Sequence, residues 1–288
     1  MAVDTFIPEV WNAQLLVALQ KALVFGQSSV SNRNYEGDIA SFGDTVHIGS
    51  LTRPTISSYV KNTTAINPQT LATTDQTLLI DQAKYFAFEV DDVDYRQVRD
   101  GGQLLNRAAS EAALGLAEVA DSFLATTITA GAGTVLAAQD VATADAAYLV
   151  IRKLRLALDK ANVPVEGRFL VVSPEFYALG LGDPRFIHAA AYGSNRPIQN
   201  GEVGSIVGFA VLVSNGIPAG TAGTLPEVSN FVIAGHPMAT TFAQQINKTE
   251  AYRPESAFSD AIKGLHLYGA KVVRPEALAV VDVDVTVA

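Results

Sequence analysis

Cysteine is absent from all 288 residues, which excludes disulfide frameworks, thiolate metal sites and cysteine nucleophiles together. Charge is sparse as well. Asp, Glu, Lys and Arg make up 17% of the chain, with 29 acidic against 20 basic residues and a net charge of −9. A nucleic-acid reader carries a basic patch or stripe. The densest basic cluster here, Arg152, Lys153 and Arg155, lies on a predicted helix as a solvated face would. Specific recognition of nucleic acid is therefore not expected, although an acidic protein can still enclose it. No run of about 18 consecutive apolar residues is present to span a bilayer. Asp4 and Glu9 stand where a secretory signal needs a basic end and an apolar stretch. The expectation is a soluble protein with no membrane partner, made in a cytoplasm.

Motifs of catalysis are missing too. The four histidines, His47, His188, His236 and His266, stand apart, and none has the i, i+4 partner of a helix-borne zinc site. No phosphate-binding loop with its lysine occurs. Gly131-Ala132-Gly133 follows a helix pattern rather than a strand, so it is no dinucleotide fingerprint. Gly204-Ser205-Ile206-Val207-Gly208 carries its serine one place too early for a nucleophile elbow and reads as a turn leading into a strand. Asp91-Asp92-Val93-Asp94 lacks the glycine and closing glutamate of a calcium loop, so it reads as a helix start. The carboxylate pairs Asp91/Asp92 and Asp282/Asp284 fall on predicted surface faces. Catalytic, cofactor and metal residues are thus expected to be none.

What the chain does hold is apolar residues, 49% of the total, at a mean hydropathy of +0.22. That is ample for a core, and it reads either as a large core rich in alanine and valine or as apolar surface reserved for other subunits. Its organising stretch is Leu104 to Ile128, where Leu105, Ala108, Ala112, Leu116, Val119, Phe123 and Ile128 recur at helical steps. Asn106, Arg107, Glu111, Glu118 and Asp121 take the opposite side. A helix of that length runs nearly 40 Å at ~1.5 Å per residue, and its alanine-rich face lets a sheet come close.

Around this helix the chain divides into four parts. Residues 1–44 read as an arm, with a short helix pattern from Trp11 to Val24 and then a polar Gly/Asn/Ser-rich stretch. Residues 45–90 read as an extended β-hairpin. Val46 and Ile48 alternate on the way out, and Leu78, Ile80, Phe86, Phe88 and Val90 on the way back, whereas Lys61 to Thr74 has no apolar face. A tip without core residues cannot be held by its own domain, so it is either a loose loop or laid on a neighbour. Residues 140–235 alternate helix and strand. They include a helix from Thr143 to Ala161 with Leu149, Leu154 and Leu158 inward, and a buried strand at Arg168–Ser173. A short helix capped by Ser173-Pro174-Glu175 follows. Residues 91–139 and 236–288 form the remaining layer. Its closing strand, Ala279 to Val287, alternates valine with Asp282 and Asp284, one face buried and one wet.

The order of these parts and several local phrases resemble the major capsid proteins of tailed bacteriophages, the Hong Kong 97-type fold. The phrases are Gly43-Asp44-Thr45-Val46, then Asp81-Gln82-Ala83-Lys84-Tyr85-Phe86-Ala87-Phe88 running into Asp91-Asp92-Val93-Asp94. Later come Arg168 to Pro174, Gly204 to Val211, and Leu267 to Leu278. The resemblance covers nearly the whole chain and implies an α+β capsid fold. The expected divisions are an N-terminal arm at 1–44, an E-loop hairpin at 45–90, a peripheral domain with spine helix at 91–139 and 236–288, and an axial domain at 140–235. It further implies a structural, non-enzymatic subunit that forms pentamers and hexamers of an icosahedral shell around double-stranded DNA. The partners it implies are copies of itself, a separate scaffolding protein and a portal, with a virion as destination and a bacterial cytoplasm as the place of assembly. Some family members cross-link a lysine to an asparagine. Lys61 lies near the tip, but neither the asparagine nor the assisting glutamate can be matched. Two other readings stay open. One is an encapsulin-type compartment shell. The other is a cytosolic α/β enzyme, which would need Asp183, Arg185 and His188 to line one pocket.

Overall fold

The long helical pattern becomes one helix, α1, Leu104–Gly131, in a computed structural model that describes residues 24–34, 45–51, 54–62, 68–70, 73–91, 104–182, 203–220, 227–254 and 259–286. Its phase differs from the expected one. Ala109, Ala113, Leu116, Ala117, Ala120, Leu124, Ala125 and Ile128 are buried, whereas Val119 is 45% exposed and Asp121 only 7% exposed. The cause is the alanine content. With Ala at nearly every turn, several faces are about equally apolar, and one residue of phase is only 100°. Tertiary contact then selects the face carrying Leu116, Leu124 and Ile128. By length and composition Ala108–Gly131 would also suffice to cross a bilayer; here its buried side lies on a sheet.

That sheet is antiparallel and three-stranded, in the order β3-β10-β9. Its strands are β3 (Gln82–Asp91), β9 (Thr240–Tyr252) and β10 (Ser259–Val272). Phe123 of α1 meets Tyr268 edge-on at 5.4 Å. At the helix end the approach is closer still, since a Cβ on Gly131 would lie 2.5 Å from a methyl of Val272. Under the helix the sheet carries Phe242 on β9 and His266 and Tyr268 on β10, all fully buried. Both His266 nitrogens, the Tyr268 hydroxyl, Thr240 Oγ1 and Gln244 Oε1 are buried without a hydrogen-bond partner.

The larger sheet has six strands in the order β4-β11-β8-β5-β7-β6. They are β4 (Thr134–Val141), β5 (Phe169–Val172), β6 (Val203–Ile206), β7 (Phe209–Val213), β8 (Glu227–Gly235) and β11 (Leu278–Thr286). Helix α2, Ala144–Lys160, opens on Thr143, whose hydroxyl accepts from the Ala146 amide, and buries Ala147, Val150, Ile151, Leu154 and Leu158. Leu149, expected inward, sits off that stripe and is 42% exposed. Asn162, at φ 57°, turns the chain out of α2. The buried Arg168 then ties that exit to β5, donating to Asp159 Oδ1 at 2.7 Å and to the Val163 and Pro164 carbonyls. Arg168 beside it holds the Asp159 carboxyl below its usual range. Helix α3, Pro174–Gly180, starts on Ser173 as its sequence predicts.

The placement of β11 corrects the sequence reading. It was expected beside the hairpin base with one wet face. Instead it runs through the larger sheet, parallel to β4 and antiparallel to β8, and every residue from Leu278 to Val285 is buried. Asp282 and Asp284, expected in solvent, are 8% and 7% exposed. Strict alternation marks two chemically different faces, and here a second layer covers the polar one. Asp282 accepts from Ser229 Oγ at 2.7 Å, and the chain at Gly220 passes so close that a Cβ would collide with that carboxylate. The boundaries near 139 and 235 follow the chain but not the sheet, which takes β4 and β11 from the segments outside 140–235.

Burial without partners pushes the His266 imidazole down to about 4. Above pH 6.5 the ring is neutral in folded and unfolded chains alike. Between pH 6.5 and 4 only the unfolded chain takes the proton, so stability falls through that window by up to roughly 3 kcal/mol. Denaturation midpoints of the dissociated subunit between pH 7.5 and 4 should show this loss, and His266→Phe should remove most of it.

Candidate assembly surfaces

Two segments reach beyond the two sheets and the spine helix, each with a described anchor on them. The first is the hairpin of β1 (Thr45–Leu51) and β2 (Thr73–Leu79), paired in register from Thr45↔Leu79 to Leu51↔Thr73. Its base is anchored because Ile48, Leu78 and Ile80 form a small second core with Ala243 and Leu267. Beyond the strands the anchoring stops. Residues 54–62 are all exposed, with Ile56 at 84%, Tyr59 at 65% and Val60 at 57%. The Gln69 side chain ties the two limbs there, accepting from the Thr55 amide at 2.9 Å. Three large apolar side chains in water with no core behind them are a surface that lacks its other half. Lys61 sits among them, exposed, followed by Asn62 at φ 64°. On the returning strand Tyr85 adds a further apolar side chain, 78% exposed.

The second segment is the described end of the arm, and its attachment comes from a residue expected in solvent. Asp121 Oδ1 accepts the Val24 amide at 2.9 Å and the Phe25 amide at 2.7 Å. Burial pushes the pKa of this carboxyl up and the amide bonds oppose that, burial being the larger effect. Phe25 and Val30 fill the core beside it, and the Ser31 hydroxyl donates to the Phe25 carbonyl. Asn32 then bridges to Thr241 of β9 in parallel fashion. The expected helix pattern from Trp11 lies outside the described residues except for Val24.

Among the described residues, those considered for chemistry are not brought together. His47 is exposed and paired with Asp75 at 2.6 Å on the hairpin. His236 caps a short turn by accepting from the Met238 amide, and His266 lies under the spine helix. Asp183, Arg185, His188, Asp92 and Asp94 lie outside the described residues. No cluster of metal-binding side chains occurs among the described residues. Val207, in the glycine-bounded segment once weighed as an elbow, forms the β6–β7 turn with Gly208 at φ 53° and 83°. That conformation is strained for a β-branched residue, and Arg155 Nη1 braces it by donating to the Val207 carbonyl at 2.9 Å. A shallow cleft of about 460 Å³ runs from there along α2, lined by Leu149, Arg152, Lys153 and Leu156 among others.

A hairpin projecting from a small core, a clamped arm, a spine helix on three strands and a separate six-stranded sheet define the class of proteins that close shells from many copies. A family model described as phage capsid protein matches residues 74–281, and the chain belongs to that family. The fold is the Hong Kong 97-type capsid fold, and the protein is a capsid protein of the virion. Its structure is similar to that of a protein from Mycobacterium phage Che8, at 33% identity over 90% of each chain and a TM-score of 0.74. It is also similar to the capsid structure of Cyanophage P-SCSP1u, at 14% identity over 87% and 85% of the two chains and a TM-score of 0.68. The holo-SrpI encapsulin complex from Synechococcus elongatus PCC 7942 shares the fold at 12% identity, 74% and 78% coverage and a TM-score of 0.55. A comparison with curated proteins finds no match.

The Asp121 clamp predicts a difference between two substitutions. Asp121→Asn keeps an acceptor and sheds a buried charge, so stability at pH 7 should stay within about 1 kcal/mol of the parent. Asp121→Ala leaves two amides without an acceptor and should cost about 1–3 kcal/mol. Hydrogen exchange read at Val24 and Phe25 should speed up in the alanine variant only.

Proposed function

We propose that this chain is the major structural subunit of an icosahedral phage head, assembling as pentamers and hexamers around double-stranded DNA in the cytoplasm of a host bacterium. The function rests on surfaces rather than on a catalytic centre. A separate scaffolding protein and a portal complete the list of partners. The observation that carries the reading is the hairpin, anchored by Ile48 and Leu78 at its base and exposing Ile56, Tyr59 and Val60 beyond it. Burying three such side chains on an adjacent copy contributes several kcal/mol of association at ~25 cal/mol per Å².

In this reading residues 1–44 are the arm and 45–90 the E-loop. The spine helix with β9 and β10 makes the peripheral domain, and β3, the returning end of the 45–90 segment, pairs onto its sheet. Residues 140–235 make the axial domain, whose sheet is completed by β4 and β11. Family membership supports the reading, and the encapsulin-type shell remains the rival that shares the fold. What the particle encloses separates the two, nucleic acid or a protein cargo.

Deleting Lys61–Thr74 should leave the thermal unfolding of the subunit nearly unchanged and abolish closed shells, as read by sedimentation and negative-stain microscopy with the scaffolding protein present. An unfolded deletion variant would show that the tip serves its own subunit and would overturn the intersubunit role. A parent chain that stays a monomer or dimer under every condition would overturn the shell reading itself.

A further inference from the structure

Two helices of this subunit carry outer faces that nothing among the described residues covers, and the two faces are complementary. On α1 the solvent side presents Glu111, Leu114, Gly115, Glu118 and Val119, with Leu114 47% and Val119 45% exposed. The acids lie along the centre of this face, and the two apolar side chains flank it at helical spacing. Gly115 opens a saddle between them, where an added Cβ would meet no other atom within 4 Å. On α2 the pattern is inverted. Leu149 and Leu156, 42% and 54% exposed, form the centre, and Arg152 and Lys153 flank it, with the exposed Asp145 continuing the stripe toward the start of the helix. Glu111 and Glu118 are seven residues apart, as are Leu149 and Leu156, so both rows repeat at about 10.5 Å. Lys153 is engaged with Gln139. Arg152, Glu111 and Glu118 make no ion pair among the described residues.

We propose that the outer face of α2 docks on the outer face of α1 of a second copy of this chain. One leucine of the α2 row seats in the Gly115 saddle, between Leu114 and Val119, and Arg152 pairs with Glu118. The contact rests on the shell reading above and says which surfaces meet. It joins two different patches, so it is heterologous and propagates head to tail into a ring when the rotation closes. Charge complementarity identifies the occupant. In a chain with a net charge of −9 the basic, leucine-centred face of α2 requires an acidic, apolar counterpart, and α1 presents one on every copy. Gly115 adds the room for close approach. The cleft along α2, walled by the braced turn at Val207, gives the incoming helix a fixed edge to seat against.

The test is a charge swap. Arg152→Glu places like charges across the contact, which costs far more than the lost attraction. It should raise the protein concentration needed for assembly on the order of tenfold, and Glu118→Lys should do the same. The double variant should recover most of the loss. Thermal midpoints of all three should match the parent, because these side chains are exposed. If Arg152→Glu assembles like the parent, or if the double variant fails to recover, the contact is wrong while the shell reading stands. Shells of unchanged yield that lose nucleic acid in Arg152→Glu would assign the basic face to the enclosed polymer and overturn the contact. A parent chain that never assembles would sink the shell reading and this contact with it.

Discussion

The close approach of α1 to the three-stranded sheet is the contact on which the other parts depend. It is possible because the helix meets the strands with alanine along its length and with glycine at its end, where Gly131 lies against Val272. The spine thereby becomes a fixed rail. The arm hangs from its middle through Asp121, the hairpin base packs at the far side of the same strands, and β4 leaves its end to enter the larger sheet. A bulky residue at position 131 would tilt the rail and displace all three. Small residues here do mechanical work that large apolar ones could not.

The same interface holds the least comfortable groups in the described structure. Burial of polar atoms without partners costs free energy at each one, and His266, Tyr268, Thr240 and Gln244 gather four such groups beneath one helix. Burial acts in opposite directions on the titratable groups nearby. It disfavours the charged imidazole of His266 and the charged carboxylate of Asp121. Acid therefore weakens the first site and relieves the second. The interface thus responds to pH at two points with opposite sign.

Much of this architecture was legible in the sequence. Helical steps from Leu104, the Thr143 and Ser173 caps, the Phe169–Val172 run and the coreless stretch after the first hairpin strand all state their structure locally. The candidate assembly surface was legible only as a lack: the sequence pointed to a hairpin end without core, and Ile56, Tyr59 and Val60 stand exposed there. What the sequence concealed was tertiary choice. The phase of α1 was hidden by its alanines, which make neighbouring faces alike. Asp121 was read as a solvent residue because one carboxylate on an apolar helix looks like its polar edge. The only signal against that was its position beside Ala120 and Leu124. The alternation in β11 correctly gave two faces, yet it could not say that a second layer covers the aspartates. Sheet membership depends on where distant chain returns, and no local pattern encodes that.

The position of β11 bears on when a subunit exists at all. Every other described strand precedes it in the chain, yet it lies between β4 and β8 and pairs with both. During synthesis the larger sheet therefore waits as two fragments, β4 alone on one side and β8-β5-β7-β6 on the other, each with an open edge. Nothing joins them until residues 278–286 clear the ribosome. A nascent chain cannot present a finished axial layer early, and a chain broken short of this strand never can. Pairing of β4 with β8 through β11 thus makes the fold itself a check that admits only subunits translated through Thr286.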